Sequence, residues 1–377
     1  MARILMKGNE AIAEAAIRAG AIYYFGYPIT PQSEVGEYMA RRLPEVGGVF
    51  VQAESEVAVG NMLIGAVASG KRAFTSSSGP GISLMQEAIS TMAAVKLPVV
   101  LVSIMRGGPG IGGILPAQAD YFQSTKSGGH GDYHLLVLAP STVQEAADLT
   151  MLAFHLADKY CNPTIVLADG MIGQMMEPVE FPENYVEEPL PPKDWATTGC
   201  PGRDSSAGNA KGRAPNIIKS VAIDPLVLEK NNLMMAEKYK LWKRDEVRFE
   251  AYKINPQNRI LIVSYGTMAR ICQTVIDDLE QEGISIGLLR PITLFPFPVK
   301  EILAEAVKPN IEAVLAVEMS IGQMVEDVEA AVKDRKPVEF YGRTGGIVPT
   351  PDEVRDYILK ILAKKTPAVQ SWKGTSE

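Results

Sequence analysis

Three polar side chains lie where short apolar stretches of the sequence end, and each could take part in chemistry. Thr30 follows the stretch that ends at Tyr27 and lies between Pro28 and Pro31, so its hydroxyl can donate and accept hydrogen bonds on a restricted backbone. Because a residue before proline avoids the helical region, we expect Thr30 to be extended at the carboxyl edge of a strand. Ligands bind at that edge in open α/β sheets.

Glu56 is the second candidate, and it follows Glu54 at the start of an apolar helix predicted for residues 56–68. A carboxylate at this position is either a favourable charge at a helix N-terminus or a desolvated acid that can hold a proton. The residue alone does not decide between these two interpretations.

Arg106 is the third candidate, and it follows a β-branched run from Val99 to Met105. Its planar guanidinium matches a carboxylate, and each charge-assisted hydrogen bond contributes about 1.5–3 kcal/mol. A structural ion pair explains an isolated arginine equally well. The combination of a hydroxyl, a carboxylic acid and a guanidinium at strand–helix junctions of one sheet favours a site for a small anionic substrate with proton transfer.

A sheet must bring these three strand ends together. Strand-length apolar runs alternate with helical periodicity through residue 168, which predicts an α/β fold with a parallel sheet covered by helices on both faces. The predicted strands are 21–27, 49–53, 72–76, 99–105, 135–138 and 164–168, and the predicted helices are 8–19, 33–43, 56–68, 81–94 and 142–157.

A second α/β unit follows an irregular region. Its predicted strands are 260–264, 285–289, 313–317 and 338–341, alternating with helices from Thr267, Pro298, Gly322 and Pro351. Prolines and glycines concentrate between residues 182 and 215, and a long charged helix is predicted for 226–252. We therefore expect a domain at 1–182, a linker with a strut helix at 183–255, a domain at 256–366 and a tail at 367–377.

Composition excludes several classes of protein. Of the 377 residues 46% are hydrophobic and 21% charged, which is typical of a globular protein, and the net charge of −7 argues against nucleic acid or an anionic membrane as the main partner. The longest apolar run, residues 97–105, is shorter than the roughly 20 residues that a membrane span needs. With no signal peptide in the sequence, we expect a cytoplasmic protein.

The cysteines and histidines do not form a recognisable site. Cys161, Cys200 and Cys272 are far apart, which excludes an iron–sulfur cluster bound by this chain alone and makes a disulfide framework unexpected. His130 and His134 have i, i+4 spacing, but they lie in a glycine-rich segment, so loop hydrogen bonding explains them better than a metal site.

Two glycine-rich segments could approach a ligand. Residues 108–113 (GPGIGG) satisfy G-x-G-x-x-G after a strand, but Pro109 and Pro116 interrupt the pattern. A loop whose backbone approaches a ligand or a partner subunit is therefore favoured over a dinucleotide site. Residues 77–81 (SSGPG) lead into a helix whose N–H groups could bind an anion, but they lack the lysine of a phosphate-binding loop.

Several segments, in order, are similar to those of one family. They are 7–11 (KGNEA), 27–31 (YPITP), 54–58 (ESEVA), 77–81 (SSGPG), 106–110 (RGGPG), 129–133 (GHGDY), 289–291 (LRP), 318–320 (EMS) and 342–346 (GRTGG). The chain resembles the alpha-type subunits of 2-oxoacid:ferredoxin oxidoreductases, and among these the branched-chain, 2-ketoisovalerate (VorB-type) subfamily. The resemblance covers most of the chain except the region near residues 195–215.

This resemblance implies a thiamine-diphosphate enzyme that converts a 2-oxoacid and coenzyme A to acyl-CoA and CO2, with electrons passing to ferredoxin. It implies an N-terminal pyrimidine-binding domain followed by a domain like the C-terminal domain of transketolase. Glu56 matches the catalytic glutamate that hydrogen-bonds the aminopyrimidine of the cofactor. Tyr27, Pro28 and Ile29, at the end of a strand, match residues that also bind the cofactor.

The resemblance also assigns the substrate and the partners. Thr30 and Arg106 match residues that bind the 2-oxoacid. Thiamine enzymes hold the diphosphate through a metal at a Gly-Asp-Gly motif, whereas residues 168–170 read Ala-Asp-Gly and Asn231–Asn232 lie beyond the linker. The resemblance therefore implies that thiamine diphosphate is shared with a beta-type subunit that carries the diphosphate and Mg²⁺ site, and that no metal binds to this chain. A gamma-type subunit and a ferredoxin-like subunit or domain with [4Fe-4S] clusters complete the implied complex.

Three alternatives stay open at this point. The substrate could be 2-oxoglutarate or another 2-oxoacid, although a second carboxylate would require a cation besides Arg106. The chain could be a non-catalytic assembly subunit of such a complex. It could also be a nucleotide-dependent dehydrogenase that binds NAD at residues 108–113.

Overall fold

The computed structural model describes residues 3–182, 189–199 and 214–363, and within them the strands form three sheets. The strands are β1 (Ile4–Lys7), β2 (Tyr23–Gly26), β3 (Val49–Gln52), β4 (Ala73–Ser77), β5 (Val100–Met105), β6 (Leu136–Leu138), β7 (Thr164–Asp169), β8 (Met176–Val179), β9 (Phe249–Tyr252), β10 (Ile260–Val263), β11 (Ile286–Pro291), β12 (Thr293–Phe295), β13 (Ala313–Glu318) and β14 (Val338–Gly342).

Helices cover these sheets and connect their strands. They are α1 (Gly8–Arg18), α2 (Ser33–Glu45), α3 (Glu56–Ala68), α4 (Gly79–Leu84), α5 (Gln86–Ala94), α6 (Tyr121–Thr125), α7 (Val143–Tyr160), α8 (Gly170–Gln174), α9 (Pro225–Asp245), α10 (Gly266–Gln281), α11 (Val299–Ala306), α12 (Met324–Val332) and α13 (Pro351–Ala363). None of the helices formed by the described residues has the length and apolar content that crossing a lipid bilayer requires.

The largest sheet confirms the predicted α/β fold of the first unit. Its strand order is β12-β6-β7-β5-β4-β2-β3, and the contacts β6–β7, β7–β5, β5–β4, β4–β2 and β2–β3 are parallel. The central strands β4, β5 and β7 are buried along their whole length, as their β-branched and apolar sequences predict.

One edge of this sheet comes from the second unit, which the sequence did not predict. Strand β12 pairs antiparallel with β6, with Thr293 opposite Leu138, and the N–H of Ala139 donates to the carbonyl of Ile292 over 2.8 Å. The two units therefore share a sheet. The predicted domain bounds at residues 182 and 256 remain a prediction, and the tail at 367–377 lies outside the described residues.

The second unit is itself an α/β sheet, in the order β14-β13-β10-β11-β9. Its strands are parallel except β9, which runs antiparallel to β11. The helix predicted for 226–252 is wrong in its last part, because α9 ends at Asp245 and residues 249–252 form β9. The segment alternates exposed and half-buried residues there, which is the period of a strand at a sheet edge.

The irregular linker is only partly described. Residues 189–199 and 214–224 contain no helix or strand, whereas 183–188 and 200–213 lie outside the described residues. The first part packs on the body of the first unit, where the N–H of Thr197 donates to the carbonyl of Ala68 over 2.8 Å.

A single apolar core passes through both units. It joins Val59 and Leu101 of the first sheet to Val263 and Leu289 of the second. Polar contacts cross the same boundary: Gln118 accepts from the N–H of Met319 over 2.9 Å and donates to the carbonyl of Tyr265 over 2.9 Å. The second unit therefore holds the loops that follow β5 in a fixed position.

Candidate active site

Four neighbouring strands of the large sheet end at one edge. They lie in the order β5, β4, β2, β3, and because they are parallel their carboxyl ends face the same way. Arg106 directly follows β5, Thr30 lies four residues beyond β2, and Glu56 lies four residues beyond β3. The three residues predicted from the sequence therefore belong to adjacent strand ends, at the kind of edge where α/β sheets bind ligands.

Arg106 and Thr30 are in direct contact. Nη1 of Arg106 donates to the backbone carbonyl of Thr30 over 2.9 Å, and Nη2 donates to the carbonyl of Ile111 over 2.8 Å. These two bonds fix the plane of the buried guanidinium, while its Nε has no partner. Thr30 lies in a turn beyond β2 instead of in an extended strand, and its exposed hydroxyl makes no hydrogen bond within the described chain.

Glu56 is buried at the first turn of α3. The helix is capped by Ser55, whose hydroxyl accepts from the N–H of Ala58 over 3.3 Å, so Glu56 is not needed as a cap. Its side chain is 5% exposed and forms no hydrogen bond or ion pair with any other described residue, Thr30 and Arg106 included. Buried carboxyl groups are almost always paired in folded proteins, so this one is available to a ligand.

The space beside Glu56 is kept open by a glycine. A Cβ atom added at Gly81 would overlap both Oε1 of Glu56 and Oγ of Ser77. The Ser77 hydroxyl is buried and has no partner within the described residues. An unpaired acid, an unpaired hydroxyl and a missing side chain together fit the hydrogen-bonding edge of a heterocyclic cofactor ring.

The segment predicted to hold a cofactor lies at the mouth of this edge. Tyr27 and Pro28 are exposed, Tyr27 by 39%, and Ile29 is half-buried. Glu54 is exposed as well. Tyr27, Pro28 and Ile29 thus leave apolar surface uncovered just beyond the end of β2.

Asp169, which the sequence offers as the nearest match to a metal-binding motif, is a structural residue. Its two oxygens accept from the hydroxyl of Thr267 over 2.6 Å and from the N–H of Thr267 over 2.8 Å, and Oδ1 also accepts from the N–H of Ile172 over 3.2 Å. Burial raises the pKa of Asp169, and the Thr267 hydrogen bonds oppose that shift. Among the described residues, no three His, Cys, Asp or Glu side chains converge on a point that could hold a metal.

The glycine-rich loop 108–113 shapes the site without forming a helix. It closes on itself through the N–H of Gly113, which donates to the carbonyl of Gly107 over 2.8 Å, and its Ile111 carbonyl holds Arg106. No helix begins within residues 108–113, so the geometry of a dinucleotide fingerprint is missing. The two histidines considered in the sequence lie in another segment: the ring of His134 stacks on that of Phe295 with the centroids 4.1 Å apart, and His130 is exposed.

Two residues of this edge were missed in the sequence. Ser77 ends β4 in the segment 77–81, which the sequence indicated as a ligand site through its backbone N–H groups but not through this hydroxyl. Asp120 precedes α6, a short helix that the sequence did not predict, and its side chain does not cap that helix. Nothing in residue type or spacing distinguishes them, because only the neighbouring strand ends make them part of the site.

Two family profiles cover most of the chain. Residues 14–212 match the thiamine diphosphate-binding domain of pyruvate flavodoxin/ferredoxin oxidoreductases, and residues 259–354 match core domain II of pyruvate:ferredoxin oxidoreductases. A ketoisovalerate oxidoreductase subunit VorB of Methanothermobacter marburgensis is 47% identical over 96% of this chain and 97% of its own length. The chain belongs to the 2-oxoacid:ferredoxin oxidoreductase family. The resemblance stated from the sequence motifs is thereby confirmed.

A further relative and two solved structures are similar to this chain at lower identity. A 2-oxoglutarate synthase subunit KorA of Methanothermobacter thermautotrophicus is 34% identical over 94% of this chain and 98% of its own length. A solved 2-oxoglutarate:ferredoxin oxidoreductase from Magnetococcus marinus superposes with a TM-score of 0.84 at 27% identity, covering 95% of this chain and 65% of that chain. A split-gene transketolase superposes over 96% of this chain and 99% of its own with a TM-score of 0.58 at 16% identity, which shows the shared transketolase-like fold.

Proposed function

We propose that this chain is the subunit of a branched-chain 2-oxoacid:ferredoxin oxidoreductase that converts 2-ketoisovalerate and coenzyme A to acyl-CoA and CO2 while ferredoxin is reduced. The observation that carries the proposal is the 47% identity to a ketoisovalerate oxidoreductase subunit across nearly the whole of both chains. The lower identity of 34% to 2-oxoglutarate synthase subunits makes 2-oxoglutarate the weaker alternative.

Thiamine diphosphate fits the edge around Glu56. When bound, this cofactor supplies the chemistry that cleaves the bond between the carbonyl and carboxyl carbons of a 2-oxoacid. Glu56 would share a proton with a nitrogen of the pyrimidine ring, because its carboxyl is buried and unpaired within the described chain. Tyr27, Pro28 and Ile29 would cover the ring on the exposed side.

Arg106 and Thr30 would bind the substrate. The guanidinium is oriented by two backbone carbonyls and keeps Nε unpaired, so it can hold a carboxylate without first breaking a contact. The free hydroxyl of Thr30 would donate to the carbonyl oxygen of the 2-oxoacid. Both residues therefore position the reacting carbons and leave the acid–base work to Glu56.

The remaining groups of the reaction would come from partner subunits. A beta-type subunit would hold the diphosphate and Mg²⁺, because Asp169 is used between the two units and no metal cluster is found among the described residues. A gamma-type subunit and a ferredoxin-like subunit or domain with [4Fe-4S] clusters would complete the electron path. The cytoplasmic location stays a prediction from the sequence.

The test is to purify this chain in complex with co-expressed partner subunits. We expect coenzyme A-dependent reduction of ferredoxin with 2-ketoisovalerate at a higher kcat/KM than with 2-oxoglutarate or pyruvate. We also expect thiamine diphosphate, magnesium, iron and sulfide in the complex and none of the metals in this chain alone.

Each failure has a distinct meaning. A preference for 2-oxoglutarate would replace the substrate and keep the chemistry. NAD reduction without ferredoxin would overturn the proposed reaction. A complex that turns over normally with Glu56→Gln would make this chain an assembly subunit.

A further inference from the structure

Asp120 is a carboxylate near the active site that the proposed reaction does not use. It precedes α6, but its side chain turns away from that helix and lies over Gly79. A Cβ atom added at Gly79 would lie 3.2 Å from Oδ2 of Asp120 and 3.4 Å from Oδ1. Gly79 begins α4, and the same helix contains Gly81, which faces Glu56. The two carboxyl groups therefore lie against the first turn of one short helix, on different sides of it.

Asp120 belongs to a group of unpaired polar atoms. Its Oδ2 is buried without a hydrogen-bond partner in the described part of the chain. The same is true of Nε of Arg106 and Oγ of Ser77, both on strands that end at this edge, and their residues are 7% and 1% exposed. Buried polar atoms are nearly always hydrogen-bonded. Ser77 and Arg106 lie at the ends of the adjacent strands β4 and β5, and Asp120 lies in the loop that precedes α6, so a polar ligand at this edge could pair with all three.

The charges around Asp120 come from few groups. Burial raises the pKa of Asp120 to about 6, although the positive charge of Arg106 on β5 lowers it. Tyr265, just before α10, has a pKa raised first by burial and then by the negative charges of Glu318, Asp169 and Asp120, so it is a neutral phenol. Glu56 of α3 lies on the far side of the Gly79–Gly81 turn. The backbone of Arg106 pairs with that of Pro116, four residues before Asp120, and among the described residues Arg106 is the cation that acts on Asp120.

We propose that Asp120 takes up a proton when an anionic substrate binds to Arg106, so that binding of the 2-oxoacid carboxylate is coupled to protonation of this residue. The inference rests on the proposed function of the site. A bound carboxylate competes with Asp120 for the positive charge of Arg106, and two like charges in a buried site do not both stay ionised. The proton comes from solvent, and it turns one oxygen of Asp120 into a hydrogen-bond donor for the ligand.

The coupling predicts a pH dependence of substrate affinity. Below the pKa of free Asp120, near 6, the residue is already neutral and KM for 2-ketoisovalerate is constant. Above that pH each binding event must add a proton, so KM rises by about tenfold per pH unit until the pKa of the bound state is reached. In Asp120→Asn the position is neutral at every pH, so KM stays near the low value.

The experiment measures KM and kcat for 2-ketoisovalerate in the assembled complex between about pH 5 and pH 8. Wild type, Asp120→Asn and a control variant, Asp278→Asn, are compared, because Asp278 is exposed on α10 away from the site. A second readout uses 2-hydroxyisovalerate, a carboxylate that cannot be decarboxylated in this way. Calorimetric titration in two buffers of different ionisation enthalpy gives the protons taken up per ligand bound.

The expected results are a rising KM in wild type and in Asp278→Asn, a flat KM in Asp120→Asn, and proton uptake near pH 7 that disappears in Asp120→Asn. A purely structural Asp120 would change stability or kcat and leave the pH profile of KM as in wild type, which would overturn the inference. Normal turnover with no proton uptake in wild type would overturn it as well. Absence of turnover with 2-ketoisovalerate would instead contradict the proposed function, and the 2-oxoacid that is turned over would then serve in the same test.

Discussion

At the scale of single residues, the site depends on polar groups that the chain leaves without partners. Glu56, Ser77 and Arg106 near adjacent strand ends, and Asp120 in the loop before α6, all have an unpaired polar atom within the described chain. An unpaired buried group destabilises a folded protein by about 1–3 kcal/mol, and a ligand that pairs with it removes that cost. The chain on its own should therefore be less stable than the chain with its cofactor bound.

Glu56→Gln tests the acid directly. A glutamine keeps the shape of the side chain but cannot exchange a proton, so kcat of the complex should fall by about 10²–10⁴-fold with a small change in unfolding temperature. The control is Glu326→Gln, an exposed glutamate in the first turn of α12, for which wild-type kcat is expected. Equal kcat in the two variants would remove Glu56 from catalysis.

Gly81→Ala tests the space beside Glu56. The new methyl group would push aside Oε1 of Glu56 and Oγ of Ser77, and a displacement of about 1 Å at a reacting group can cost about 10²-fold in rate. We expect weaker binding of thiamine diphosphate, measured by calorimetry on the complex. In Gly65→Ala, on the exposed face of α3, nothing lies within 4 Å of the added atom, so unchanged binding and slightly higher stability are expected.

The sequence allowed three residues of this site to be recognised but not Asp120. Thr30, Glu56 and Arg106 could be recognised because each ends an apolar run and because their motifs match a family. Asp120 could not, since the sequence did not predict α6 and only the tertiary structure shows that the carboxylate of Asp120 faces Gly79. The contact between Arg106 and the carbonyl of Thr30 involves backbone, which a pattern of side chains does not encode.

At the scale of elements, a strand end can organise the helix that follows it. Glu318, the last residue of β13, is buried and accepts from the N–H groups of Gln323, Met324 and Val325 at 2.9–3.2 Å. These groups at the start of α12 have no partner within a helix. Burial raises the pKa of Glu318, and the backbone hydrogen bonds from α12 oppose that shift.

Glu318→Ala should therefore loosen α12. Three N–H groups would lose their acceptor at once, and we expect the free energy of unfolding to fall by about 3 kcal/mol or more. Chemical denaturation of the purified chain measures it. Glu318→Gln keeps one acceptor and should lose less, and an equal loss in both variants would show that packing of the side chain, rather than its hydrogen bonds, is what matters.

Sequence periodicity predicted the internal elements better than those at the edges. The buried parallel strands and most amphipathic helices appear where the patterns placed them, because burial imposes a regular alternation. The helix predicted for 81–94, however, is divided at Met85 into α4 and α5. The strands β1, β8, β9 and β12 were missed, since edge strands are short and only partly buried. Strand β9 was taken for the end of α9 because its sequence (FEAY) follows a charged helical pattern without a clear break.

At the scale of the whole molecule, the two units are held together by buried polar contacts as well as by their shared core. Arg290 of β11 is 3% exposed in its side chain and pairs with both oxygens of Glu145 on α7 at 2.6 and 2.9 Å, and with Glu250 at 2.7 Å. Burial alone would raise the pKa of Glu145. The hydrogen bonds and positive charge of Arg290 outweigh that effect, so the pKa of Glu145 lies below its ordinary value.

Arg290→Met should remove the ion pairs of Arg290 with Glu145 and Glu250. Loss of the guanidinium leaves two carboxylates without their cation. Because the Glu145 and Glu250 side chains are 30% and 38% exposed, we expect a loss below the roughly 3–5 kcal/mol that is typical of a fully buried ion pair. Arg259→Met is the matched control. Arg259 pairs with Glu312, and both side chains are about half exposed, so the free energy of unfolding should change by less than about 1 kcal/mol. Similar losses in both variants would contradict the assignment.

The same contact predicts acid sensitivity. Because the pKa of Glu145 is lowered in the folded chain, its contribution to stability is complete above the ordinary glutamate value of 4.5 and is lost as the pH falls through the lower folded value. Arg290→Met should weaken this dependence, so denaturation curves of the two proteins should approach each other in acid.

Because β12 of the second unit pairs with β6 of the first, the polypeptide cannot be divided between the two units without exposing a sheet edge. A fragment ending before β9 would leave β6 with a row of backbone N–H and C=O groups facing solvent, and such an open edge recruits strands from other molecules. Two separately made fragments would therefore have to find each other to close that edge, and each alone would tend to self-associate. Evolution can divide this polypeptide only where complementation between the pieces restores the missing strand.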